Sequence, residues 1–254
     1  MNVVELFDSF SCLSLRTLAL AIRNPSKMRT YVSFCLKRYD ELAGKGLPPA
    51  GPVRPATNET ICLPAAHTGG GMSFADLTIL ARVTKVKRPR AIFEMGSYDG
   101  LTTAVFLLNA PPCCRIYSLD LPPASPSDEA DLRSDAELVA SRSLGTIPKA
   151  IGRDNYTQLL CDTMKFDPSP YANSIDLGLI DAAHDVEHAR NDTIKMAAMM
   201  SDEGLVFWHD YGGKGSLRPL AEYLEALGRK FPVYRVPETA LAWTKATDLK
   251  RASL

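Results

Sequence analysis

The chain has 254 residues, 46% of them hydrophobic and 23% charged, the composition of a folded protein with room for one large α/β domain or two small ones. Its 29 basic and 29 acidic residues sum to zero formal charge, so bulk electrostatics gives no reason to expect a nucleic-acid or acidic-membrane partner. Six cysteines, at 12, 35, 62, 113, 114 and 161, contain no Cys-x-x-Cys pair, which argues against a zinc knuckle and fits a reducing, cytoplasmic compartment.

Two helices are predicted first. Residues 2–22 are apolar on most faces. The stretch Leu13–Ile22 is interrupted by Arg16 and preceded by Glu5 and Asp8, so it reads neither as a membrane span nor as a signal peptide. The second helix starts at Asn24-Pro25, a cap followed by a proline that loses no needed hydrogen bond. Met28, Tyr31, Cys35, Tyr39 and Leu42 then form one stripe, and Gly44 and Gly46 end it. Residues 1–45 are thus expected to be a helical extension, a lid or a homo-oligomer contact. Residues 46–68, opening on a proline-rich run, are expected to be a linker.

From residue 69 strands and helices alternate. Gly69–Ser73 is a loop whose Ser73 can cap a helix to about 86. The basic run Lys85, Lys87, Arg88, Arg90 reads as that helix's solvated end. Ala91–Glu94 is a strand, Leu101–Leu108 a helix, and Arg115–Leu119 a strand ending at Asp120. Residues 121–127 are loop and Asp128–Arg142 a helix. Tyr156–Leu160 and Ile175–Ile180 are strands, the second ending at Asp181. Val186–Met200 is a helix, Gly204–Trp208 a strand ending at His209-Asp210, and 216–229 a helix. Phe231–Val236 and Leu241–Thr244 are two late strands. This alternation predicts a mainly parallel sheet covered by helices on both faces, with its ligand beyond the carboxyl ends of the strands. Glu94, Asp120, Asp162, Asp181, His209 and Asp210 all fall there.

The loop Glu94-Met-Gly-Ser-Tyr-Asp-Gly100 joins a strand to a helix. A dinucleotide site needs a glycine between Gly96 and Gly100, so that backbone can approach a pyrophosphate. Here Ser97, Tyr98 and Asp99 stand instead, and Asp99 would repel phosphate. A cofactor without phosphate, carrying an amino group and ribose hydroxyls, suits these acids better. S-adenosylmethionine is such a molecule.

These segments resemble class I S-adenosylmethionine-dependent methyltransferases, and most of all the branch of macrocin, mycinamicin and rhamnosyl O-methyltransferases and cephalosporin hydroxylase-like proteins. The matching runs are Gly70–Ser73, Ile92–Thr103, Tyr117–Asp120, Cys161–Thr163, Ile175–His184 and Gly204–Tyr211. The resemblance spans residues 69–245 and implies a Rossmann-like, doubly wound, mainly parallel seven-stranded sheet in 69–254. It implies that Glu94, Gly96 and Thr102 line the methionine portion of the cofactor, Asp120 the ribose, and Asp162 and Thr163 the adenine. Ser73, Ser97 and Gly100 complete the set, and Asp181 lies near the methyl group. Several relatives hold a divalent metal such as magnesium through the acid at Asp181 and two more after the fifth strand. Here those two positions read His209-Asp210, and imidazole favours softer ions.

Transfer to a hydroxyl needs a base, and His184 and His209 are the candidates, with Asp181 orienting one or sharing a metal with it. The expected acceptor is a small molecule, a sugar or secondary metabolite, because no basic or aromatic single-strand platform is evident. Two other readings stand beside this one. His184-Asp-Val-Glu187-His188 fits a zinc-peptidase pattern, although His184 falls before the helix. The fold may also be kept without chemistry as a binding or assembly module.

Overall fold

The computed structural model describes residues 46–52, 60–65, 72–122, 144–212 and 217–252. The two expected N-terminal helices, the expected helix at 128–142 and the loops at 123–127 and 213–216 lie outside the described residues. Residues Leu47–Leu254 belong to one compact unit.

Helix α1 (Phe74–Lys87) starts at Ser73 with a reciprocal capping box. The backbone N–H of Asp76 donates to Ser73, and Asp76 accepts from the N–H of Ser73. Lys85 and Lys87 occupy its last turn, where cations suit the helix dipole. β1 (Ala91–Met95) is buried at every position, as a central parallel strand must be. After it come α2 (Leu101–Asn109), β2 (Arg115–Asp120), α3 (Thr146–Ile151) and β3 (Tyr156–Leu160). A single 3-10 turn (Ser169–Tyr171) leads to β4 (Ile175–Ile180). α4 (Val186–Met199), β5 (Met200–Trp208), α5 (Arg218–Gly228), β6 (Tyr234–Arg235), β7 (Ala242–Lys245) and α6 (Ala246–Arg251) complete the series.

The sheet order is β3-β2-β1-β4-β5-β7-β6. The first five strands are parallel, and β7 runs antiparallel to both β5 and β6. Consecutive strands step outward from β1 to one side, and the chain then returns to place β4 on the other. The switch point therefore lies between the carboxyl ends of β1 and β4, where open α/β sheets bind ligands. Side chains alternate across the sheet. Ile92, Ile116, Leu179 and Phe207 pack with α1 and α2 on one face, and Phe93, Met95, Val206 and Trp208 pack with α4 and α5 on the other.

Two boundaries differ from the sequence reading. β5 begins at Met200, which is also the C-cap of α4, so helix and strand join without a loop, and a register shift at Ile175/Leu177 absorbs the extra length. β6 keeps only two residues of the expected 231–236, because Pro232 has no N–H to give to a ladder. The short helices α3 and α6 were not foreseen; six residues carry too little periodicity to read.

Part of the segment read as a linker is attached to the sheet. Pro49 bridges Arg235 in parallel, with Ala50 N–H donating to Arg235 O and Arg235 N–H donating to Pro48 O, both at 3.0 Å. The Trp243 indole N–H donates to Ala50 O at 3.0 Å. Farther on, the Asn109 side chain bonds both the N–H and the carbonyl of Cys62.

Candidate active site

The glycine loop sits at the switch point. Gly96 has φ +89, and a Cβ there would lie 2.2 Å from the Asp181 carbonyl oxygen. Glycine is thus required twice over, for its backbone angle and for the approach of β4. Gly100 has φ +86, and its missing Cβ faces Pro148 of α3 at 2.4 Å. The contact partner is that short helix. Asp120 holds the loop between them. Its Oδ2 accepts from Ser97 N–H (2.9 Å), the Ser97 hydroxyl (3.0 Å) and Tyr98 N–H (2.8 Å), and its Oδ1 accepts from Leu121 N–H. Thr102 is buried in the first turn of α2.

Glu94, the next-to-last residue of β1, is fully buried. The hydroxyls of Thr103 and Ser118 both donate to its Oε2, while Oε1 is buried with no hydrogen-bond partner. Burial pushes its pKa up to about 8, against the pull of those two hydroxyls.

A second cluster sits at the ends of β4 and β5. His209 Nδ1 lies 3.0 Å from Asp181 Oδ1 and 3.4 Å from Asp210 Oδ1, and its Nε2 lies 3.6 Å from Asp76 Oδ2. Burial alone would lower the His209 pKa; Asp181, Asp210 and Asp76 overcome it and push it up to about 12. Burial raises Asp181, opposed by His209, whereas Asp210 is held well below the carboxylate range because His184 and His209 outweigh its burial. His184, 43% exposed, places Nε2 2.9 Å from Asp210 Oδ2. Asp181, His209 and Asp210 each offer a ligand atom within 4.8 Å of the others. With His184 they line a cavity of about 10 Å³, the scale of one water-sized guest. His188 turns instead to Asp185, the N-cap of α4, so the two histidines of the peptidase-like pattern face different carboxylates.

The two clusters touch through Gly96 and Asp181, whose N–H also donates to Met95 O. Ser73 faces the second cluster indirectly, since its hydroxyl donates to Asp76. Asp162 and Thr163 lie past β3. Asp162 accepts from Met164 N–H, and the Thr163 carbonyl accepts from Asn191 and Lys195 of α4.

Three features escaped the sequence reading. Asp76 is buried and joins Ser73, Ala240 N–H (2.8 Å) and His209; the Ser73-x-x-Asp76 spacing was visible, though only as a helix cap. Ser118 meets Glu94 only through the β1–β2 register. Asp192 lies on the buried face of α4 with Ala189 and Met196, and its Oδ2 has no partner; an acid at that helical spacing was the available signal.

Residues 93–211 match a family model described as a methyltransferase domain. No curated protein matches the sequence. Among solved structures, cofactor-bound Rv0187 from MTB superposes with a TM-score of 0.53 at 14% identity, over 71% of this chain and 84% of that one. A protein from Corynebacterium glutamicum gives 0.51 at 11% identity, over 69% and 82%. At such identities the likeness is one of fold, and the fold is the Rossmann-like sheet of class I methyltransferases.

Proposed function

We propose, from the premise that this chain carries a methyltransferase domain on a class I fold, that it moves a methyl group from S-adenosylmethionine to a hydroxyl of a small molecule. The observation that carries the reading is Glu94 Oε1, a buried acceptor without a donor at the switch point of the sheet. The amino group of the cofactor is a donor of the kind that this oxygen lacks. The acids at Glu94, Asp120, Asp162 and Asp181 fit a cationic, phosphate-free molecule. Gly96, Ser97, Gly100 and Thr102 would face its methionine end, and Asp162 and Thr163 its adenine.

When bound, the cofactor supplies an electrophilic methyl carbon. The protein's share is to align the acceptor oxygen, exclude water and take the proton. We assign the proton to His184. Asp210, 2.9 Å from its Nε2, orients the imidazole, whose exposure leaves it within reach of an acceptor. His209 is enclosed by three carboxylates, so its proton stays in place at neutral pH, and it acts as a charged strut between Asp181 and Asp76.

A second reading adds a divalent ion at Asp181, His209 and Asp210, favoured by their mutual spacing and by the small cavity beside them. An imidazole in the donor set suits manganese, cobalt or zinc better than magnesium. Methyl transfer unchanged by a chelator, and by manganese added back, removes this reading.

Among the described residues no helix is long and apolar enough to cross a membrane. The four described cysteines are free, and we place the reaction in the reducing cytoplasm. Calorimetry with S-adenosylmethionine tests the cofactor, and a product-mass screen of hydroxylated metabolites with labelled cofactor tests the acceptor. No binding at millimolar cofactor overturns the proposal. Binding without transfer to any acceptor favours a non-catalytic module. His184→Ala is expected to slow transfer by about a hundredfold or more with cofactor affinity kept.

A further inference from the structure

Asp210 is a non-glycine residue in the left-handed region, at φ +62. Aspartate enters this region more readily than most residues, and here its surroundings hold it there. The residue that follows does the holding. Tyr211 is buried, and its N–H donates to Ala240 O at 2.9 Å, fixing the chain on the β7 side. Its hydroxyl has two partners. It accepts the backbone N–H of Leu47 at 2.8 Å in a buried bond, and it donates to Glu225 Oε1 of α5 at 3.3 Å. Leu47, itself buried, begins the strap whose Pro48–Ala50 portion lies along β6 and is bonded to Arg235 and Trp243. A continuous path of hydrogen bonds therefore runs from the outer edge of the sheet through Leu47 and Tyr211 to the peptide after Asp210, whose carboxylate contacts both His184 and His209.

We propose that Tyr211 is a positioning residue, anchored by the 47–50 strap, that sets the Asp210 turn and thereby the placement of His184. Its catalytic consequence rests on the methyl-transfer reading, but the geometric part does not. The Tyr211 hydroxyl bonds Leu47 and Glu225 and neither candidate base, so removing it changes the turn and not the base directly. The strap lies wholly outside the matched methyltransferase segment at 93–211, so a domain defined by that match lacks a part of its own site.

Two substitutions keep an aromatic ring at each position. Tyr211→Phe deletes the hydroxyl. Trp243→Phe deletes the indole bond to Ala50 at the far end of the strap. Hydrogen exchange of the amides at 209–212 is the readout that needs no activity, and it is expected to quicken about tenfold in both full-length variants. With cofactor and acceptor, kcat is expected to fall between about tenfold and a hundredfold in Tyr211→Phe, while the cofactor dissociation constant stays within about twofold. Folded variants with wild-type exchange at 209–212 overturn the proposal, and so does wild-type kcat in Tyr211→Phe. If the wild-type protein transfers no methyl group but both variants exchange faster, the positioning stands and the methyl-transfer reading falls.

Discussion

With no cation beside it, Glu94 keeps its proton at neutral pH, and a bound ammonium would draw it back to the accepting carboxylate. Its two hydroxyl donors share one oxygen, and the other oxygen has none, so burial wins and the folded pKa reaches about 8 against an ordinary 4.5. Between those two values the unfolded chain has lost a proton that the folded chain keeps. Stability from this group is therefore full below about pH 4.5, falls as pH rises by up to about 1.4 kcal/mol per unit, and is gone above about pH 8. Glu94→Gln has no proton to keep, so its thermal midpoint is expected to decline less than that of the wild type between pH 5 and 8. Parallel declines in the two proteins would remove Glu94 as the source. The same residue marks how far single positions could be read. An acid near a strand end beside a glycine turn was legible. That Thr103 and Ser118 are its partners was not, because that follows from the face of α2 and the β1–β2 register.

The loop between β1 and α2 is set by contacts at the scale of whole elements. Gly96 lies against the backbone of β4's end and Gly100 against α3. The two glycines were enough to locate the turn, and the residues between them, Ser97, Tyr98 and Asp99, argued against a dinucleotide site. Their spacing could not tell which neighbours require the missing Cβ, since β4 is some eighty residues away in sequence and α3 carries no periodic signal. The strands β1, β2, β4 and β5 were legible for a related reason: short apolar runs each closed by an acid or histidine are what a buried parallel strand leaves in a sequence. Gly96→Ala combines a left-handed backbone with an overlap against Asp181, and about 3 kcal/mol or more of stability should be lost. Urea unfolding measures that loss. A midpoint within error of the wild type would show that β4 yields easily, and the loop would then no longer be the rigid part of the site.

At the scale of the molecule, the open question is where the folded unit begins. Composition shifts and prolines drew a boundary at 69, and the prolines at 48 and 49 cannot continue a helix. Proline also suits a sheet edge, where a missing N–H costs nothing, and there the structure uses Pro49. A chain starting at 69 would leave the Asn109 amide without Cys62, Trp243 Nε1 without Ala50, Tyr211 without Leu47, and Arg235 without its edge partners. Each lost hydrogen bond is worth about 1 kcal/mol. The apolar contacts of Leu47, Ile61 and Leu63 go as well, at about 1.5–3 kcal/mol for a fully buried side chain and less for the two that are partly exposed. The sum is comparable with the whole stability of an ordinary domain, about 5–15 kcal/mol. Residues 69–254 expressed alone are therefore expected to unfold at low urea or without a cooperative transition, whereas 47–254 should keep a single transition close to that of the full chain. Equal midpoints for the two pieces would mean that the strap and the Cys62 contact are incidental to stability, and the boundary at 69 would be the right one after all.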